Sequence, residues 1–149
     1  MDAEARLARG AVWFYWVAAL SLLNTVLALS GQDWRMVMGL GLTEFLSALP
    51  KALAHDAPLG TGAIAFIVVS NLVVAGIVAG FGWLSLRRQT WAFILGAILY
   101  FMDAGLLLMC QDWYSLAFHA YVLYHFFNGI KACFDLKRPI PQPVPAEPG

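Results

Sequence analysis

Residues 60–86 read GTGAIAFIVVSNLVVAGIVAGFGWLSL, twenty-seven residues without one charged side chain. About 20 apolar residues in a row are enough to cross the hydrocarbon of a bilayer as a helix. Lipid offers the backbone no water, so N–H and C=O groups must pair within the segment, and a helix is the default. Arg87-Arg88-Gln89-Thr90 breaks the run, and residues 91–110, WAFILGAILYFMDAGLLLMC, begin another with a single acid, Asp103. Gln111-Asp112 is a short polar break before residues 113–134, which hold His119, His125, Asn128 and Lys131. Upstream, residues 11–30, AVWFYWVAALSLLNTVLALS, are again uncharged. The expectation is an all-α, membrane-spanning bundle of four transmembrane helices in one domain, residues 1–138.

Composition agrees: the 149-residue chain is 61% hydrophobic and 12% charged, against about 45–50% and about 25% for a soluble domain. Net charge is zero, so no basic surplus recruits nucleic acid. Ala28-Leu29-Ser30 loosely resembles a signal-peptidase site. However, Asp2 and Glu4 offset Arg6 and Arg9, and the apolar run exceeds the h-region length of about 7–15 residues. A retained first span is therefore expected.

Residues 35–56 are amphipathic near a period of 3.6. Met38, Leu42, Phe45, Leu46, Leu49 and Leu53 share one face, and Glu44, Ser47, Lys51 and His55 another. Pro50 should kink this segment. It reads as a helix lying along the outer interface or folded back onto the bundle; the alternative is a fifth span that buries Glu44 and Lys51. Residues 139–149, PIPQPVPAEPG, hold five of the seven prolines and read as a disordered tail.

Charge sets the orientation. With four spans and a cytoplasmic N-terminus, Arg6, Arg9, Arg87, Arg88, Lys131, Lys137 and Arg138 face the cytoplasm, and only Arg35 and Lys51 face outward. That asymmetry satisfies the positive-inside rule with both termini inside. Trp13, Trp83 and Trp91 then fall near the inner interface and Trp34 and Trp113 near the outer one, where indoles settle. Cys110 and Cys133 lie at opposite membrane depths and are expected as free thiols, with no CxxC motif.

Ionisable groups inside a span cost roughly 2.5–3.5 kcal/mol to insert, so each needs a partner or a task. If the last two spans form an antiparallel hairpin turning at Gln111-Asp112, Asp103 falls level with residues 119–121. Asp103, His119, Tyr121 and Asn24 are then one expected polar cluster. Tyr124, His125 and Asn128, with Asn71, are secondary polar positions. His119 and His125 are six residues apart and about 120° out of phase, which argues against one metal or haem held between them; no cofactor is expected. Gly76 and Gly80 supply a small-xxx-small face for helix packing or dimerisation. Gln32-Asp33-Trp34 recurs as Gln111-Asp112-Trp113, an offset that aligns Asn24 with Asp103. Parallel duplication or local boundary chemistry accounts for it equally.

No nucleophile–base constellation, phosphate loop or metal motif is present. The expected partners are the bilayer and either a second copy or another membrane protein. The first functional expectation is a structural, accessory or interaction subunit. The second is proton or small-ion transport through an oligomer, with Asp103 and His119 titrating. An enzyme built on Glu44 or His55 is the weakest. The strings WFYWVAALSLLNT, GLGLTEF and WAFILGAILYFMDAGLLL followed by FHAYVLY resemble those of uncharacterised small bacterial multi-pass membrane proteins. That resemblance implies a bacterial inner-membrane location and carries no activity.

Overall fold

The computed structural model describes residues 2–30, 40–54, 58–109 and 111–138. Five helices follow in order: α1 (Ala3–Leu29), α2 (Gly41–Leu53), α3 (Thr61–Leu86), α4 (Thr90–Met109) and α5 (Trp113–Lys137). No strand is found among the described residues. The expected tail, Trp34, Arg35, Met38, His55 and Cys110 lie outside the described residues.

Three helices, α1, α3 and α4, are long and apolar enough to cross a membrane. The sequence reading expected four. The fourth, α5, has the length but carries two histidines, Asn128, Lys131 and Asp135 along it, which dilute its hydropathy.

Up-and-down connections place α1 and α4 parallel to each other and antiparallel to α3 and α5. Asn71 meets Thr25, Gly82 lies against Phe14, and Arg6 reaches Asp135. The turns are tight. Arg88 after α3 and Gln111 after α4 adopt left-handed backbone, φ 59° and 56°. Arg88 N–H returns to the Ser85 carbonyl and Gln89 N–H to that of Leu84, so the helix-end carbonyls are satisfied without glycine. Asp112 then caps α5, accepting from Ser115 N–H at 3.1 Å and from its hydroxyl at 2.6 Å.

The core at one end is aromatic. Phe14 stacks on Phe126 with ring centroids 4.0 Å apart and meets Phe93 edge-on at 5.5 Å. Helices approach closely around these rings at Gly10, Gly82, Gly96 and Gly129. A Cβ on Gly129 would lie 2.3 Å from the Phe93 ring, and one on Gly96 would lie 2.6 Å from Phe14. Of the packing or dimerisation expected of Gly76 and Gly80, packing among the described residues does not use them: a Cβ on either would meet nothing within 4 Å. The same end carries the charge: Arg6 pairs with Asp135 at 2.7 Å, Arg88 pairs with Glu4, and Arg87 lies over the Trp83 ring.

The surface is the reverse of a water-soluble one. Leu53, Phe101 and Met102 are 71%, 67% and 65% exposed, whereas Ser21, Asn71, Ser85 and His119 are fully buried. Exposed apolar surface of this extent belongs against lipid or a partner.

Candidate functional site: a buried carboxylate at the foot of a half-helix

The helix α2 is short, 13 residues or about 20 Å, and it packs against α1, α3 and α4. Its register is set by three contacts with α1 and α3. Leu40 N–H donates to Ser21 Oγ at 3.0 Å, Asn71 Nδ2 donates to both Ser47 Oγ and Thr25 Oγ1, and Lys51 Nζ donates to the Ala28 carbonyl. Ser21 lies nine residues before Ser30, where α1 ends, a depth of about 14 Å. So α2 starts deep in the bundle and climbs alongside α1 to its uncharged end.

Its faces explain why it stays there. Thr43 and Ser47 are buried, while Leu42, Phe45, Leu49 and Leu53 point outward. Within Gly41–Leu53 the apolar face therefore points outward and the small hydroxyls Thr43 and Ser47 inward, with Glu44 half-buried and Lys51 exposed. A helix on a water interface would do the opposite. The folded-back alternative describes it, and the fifth span does not. The described helix begins at Gly41 and ends at Leu53, three residues past Pro50.

A helix start exposes N–H groups with no intrahelical acceptor. In α2 these meet Asp103 of α4. Gly41 N–H donates to Asp103 Oδ2 and Leu42 N–H to Oδ1, both at 2.8 Å. Thr43 and Glu44 N–H turn back to the Leu40 carbonyl. The carboxylate thus caps a helix from another element, where the positive end of the helix dipole also favours it.

Asp103 Oδ2 also lies 3.0 Å from His119 Nε2. His119 Nδ1 lies 2.8 Å from the Ser115 carbonyl. A carbonyl only accepts, so Nδ1 donates. The Nε2 contact is then either an N–H donating to a carboxylate or a carboxylic O–H donating to nitrogen. The two forms differ only in the position of one proton, and both leave the pair without net charge, which a low-dielectric interior favours. The Tyr100 ring stacks on the imidazole at 4.3 Å with 5° between planes, closing it off. The Tyr100 hydroxyl is buried with no hydrogen-bond partner among the described residues.

The other expected positions divide. Asn24 is buried on α1 and has a partner of its own, while the described contacts of Asp103 go to Gly41, Leu42 and His119. Tyr121 does not join them: it is half exposed and packs edge-on against Trp13 and His125. His125 stacks on Trp13 at 5.3 Å, with Tyr124 at its edge. Asn128 bonds back to the Tyr124 carbonyl. Asn71, a secondary position in the sequence reading, joins α1, α2 and α3 at one point. Ser21, Thr25, Thr43 and Ser47 were missed. Each is a small hydroxyl whose proton goes to a carbonyl three or four residues back, leaving the oxygen of Ser21, Thr25 and Ser47 free to accept. Their signal was a polar i, i+4 pair on each helix, Ser21/Thr25 and Thr43/Ser47. Cys133 is a free, buried thiol. Among the described residues no three His, Cys, Asp or Glu side chains gather as a metal ligand set.

A cavity of about 390 Å³ lies between α3 and α4 beside the start of α2. It is lined by Val74, Val78 and Phe81 of α3, Leu99 and Leu106 of α4, and Phe14 of α1, with Leu40, Leu42 and Asp103 also bordering it.

Comparison of the chain with protein-family models, with curated proteins and with solved structures finds no match. The likeness to small bacterial membrane proteins therefore rests on the quoted strings alone.

Proposed function

We propose that this chain is a four-crossing protein of the bacterial inner membrane with both termini in the cytoplasm, acting as a structural, accessory or interaction subunit. Three observations support the fourth crossing through α5. It is 25 residues long, it runs antiparallel beside α4, and it meets α1 from Gly10–Gly129 to Arg6–Asp135. The charged end gathers Arg6, Arg87, Arg88, Lys137 and Arg138, as a cytoplasmic face does.

One observation carries the structural role. The described hydrogen bonds of Asp103 and His119 go to the start of α2, to each other and to the Ser115 carbonyl, through four contacts of 2.8–3.0 Å. A transport group needs an exchangeable proton and a wet path, whereas the cavity touching Asp103 is walled by hydrocarbon side chains.

A second reading, proton or small-ion transport through an oligomer, has its own support: an ionisable pair, Asp103 and His119, lies in contact inside the bundle. Flux through vesicles containing the purified protein separates the two. The structural role expects no proton or small-ion flux above empty vesicles, with Asp103→Asn weakening the fold. Wild-type flux that Asp103→Asn abolishes without loss of fold would establish transport instead.

A further inference from the structure

The cavity between α3 and α4 suits one kind of occupant. We propose that it is a lateral binding groove for a single hydrocarbon chain of a membrane lipid; this rests on the membrane reading above. The cavity runs along α4 from Gly96 to Leu106, ten residues, so its 390 Å³ are drawn out over about 15 Å. A stretch of acyl chain lying along α4 spans that length, and the lining offers it hydrocarbon almost throughout.

The lining matches. Phe14 is buried behind the cavity, Val78 and Phe81 are half-buried in one wall, and Leu99 and Leu106 are exposed at the rim. The rim faces outward, where a protein in a bilayer meets acyl chains, so a chain enters sideways without crossing water. The cavity is also built in. Leu40 and Leu42 line it at the start of α2, which Asp103 holds in place. Gly96 keeps the lower end narrow, since Phe14 and the Phe81 Cβ crowd its α-carbon. A void of this size without an occupant would forfeit the dispersion contacts of every residue around it.

The test uses full-length protein in vesicles of phosphatidylethanolamine and phosphatidylglycerol, doped with a phosphatidylglycerol that carries a diazirine midway along one acyl chain. After irradiation, cross-linked residues are mapped by mass spectrometry. The groove predicts labelling at Val78, Phe81 and Leu99 several-fold above Val69 and Leu72, which are exposed on α3 and do not line the cavity. Val78→Phe fills the groove and should cut that excess several-fold, while Val69→Phe leaves it intact. Circular dichroism and gel filtration confirm that both variants remain folded. Equal labelling of all outward faces would overturn the groove and leave an ordinary lipid annulus. Absence of labelling anywhere would overturn the membrane reading with it.

Discussion

At the scale of single residues, Asp103 decides most. It ties the first turn of α2 to α4, and through His119 it ties both to α5. Removing one partner of a buried charged pair costs about 3–5 kcal/mol, because the other is left uncompensated. Asp103→Asn should therefore lower stability by about that much, read from steric-trap unfolding in detergent micelles. Tyr100→Phe makes the opposite case. The hydroxyl is buried without a partner among the described residues, so its loss should be neutral or stabilising by about 1 kcal/mol. That Asp103 would meet His119 or Tyr121 was legible in the sequence, because a tight hairpin at Gln111-Asp112 fixes which residues share a depth; the structure selects His119. The other half of the site was not. The two donors on Asp103 are backbone N–H groups of Gly41 and Leu42, and no side-chain pattern announces those.

At the scale of elements, α2 shows where a sequence pattern stops. Periodicity in residues 35–56 establishes that two faces differ in polarity. It does not say which face is inside, because that depends on whether water or lipid lies outside. Thr43 and Ser47 are small enough to bury beside Asn71, and their hydroxyl protons go to the helix's own carbonyls, so the polar face is cheap to enclose. Glycine spacing is ambiguous for a related reason. Gly76 and Gly80 form a recognisable spacing on one helix, whereas Gly10 and Gly129 work singly, across helices, against Phe93. A small residue matters only through what faces it, and spacing along one helix does not record that. Gly129→Ala should lose about 1–3 kcal/mol by overpacking against Phe93, while Gly76→Ala should change monomer stability by less than about 0.5 kcal/mol. Parallel unfolding curves in the same detergent would check both. Asp112→Ala should cost about 1 kcal/mol by uncapping α5, visible as faster amide exchange over residues 113–116.

At the scale of the whole molecule, the helices form a bundle with its polar groups inside and its hydrocarbon outside. Two of the three candidate spans followed from uncharged runs and the third from a run with one acid; the expected bounds lie close to Thr61–Leu86 and Thr90–Met109, whereas α1 begins at Ala3, eight residues before the expected 11. The last helix was harder to read, because α5 carries the polar partners of the others and so dilutes its own apolar signal. The same polar groups make α2 a half-helix: its start is anchored deep at Asp103, and its end at Lys51 meets the end of α1. That anchoring places Leu40 and Leu42 at the groove between α3 and α4 and gives His119 its place.

Cysteine labelling from the outer side of intact cells tests this anchoring directly, with Cys110 and Cys133 replaced by serine. Thr43→Cys, at the buried foot of α2, should resist a membrane-impermeant maleimide, while Ala52→Cys, near its upper end, should react readily. Adding Asp103→Asn should expose the foot and speed labelling at position 43. Equal labelling of positions 43 and 52 in the otherwise native chain would mean that α2 lies flat on the surface and that Asp103 holds nothing there.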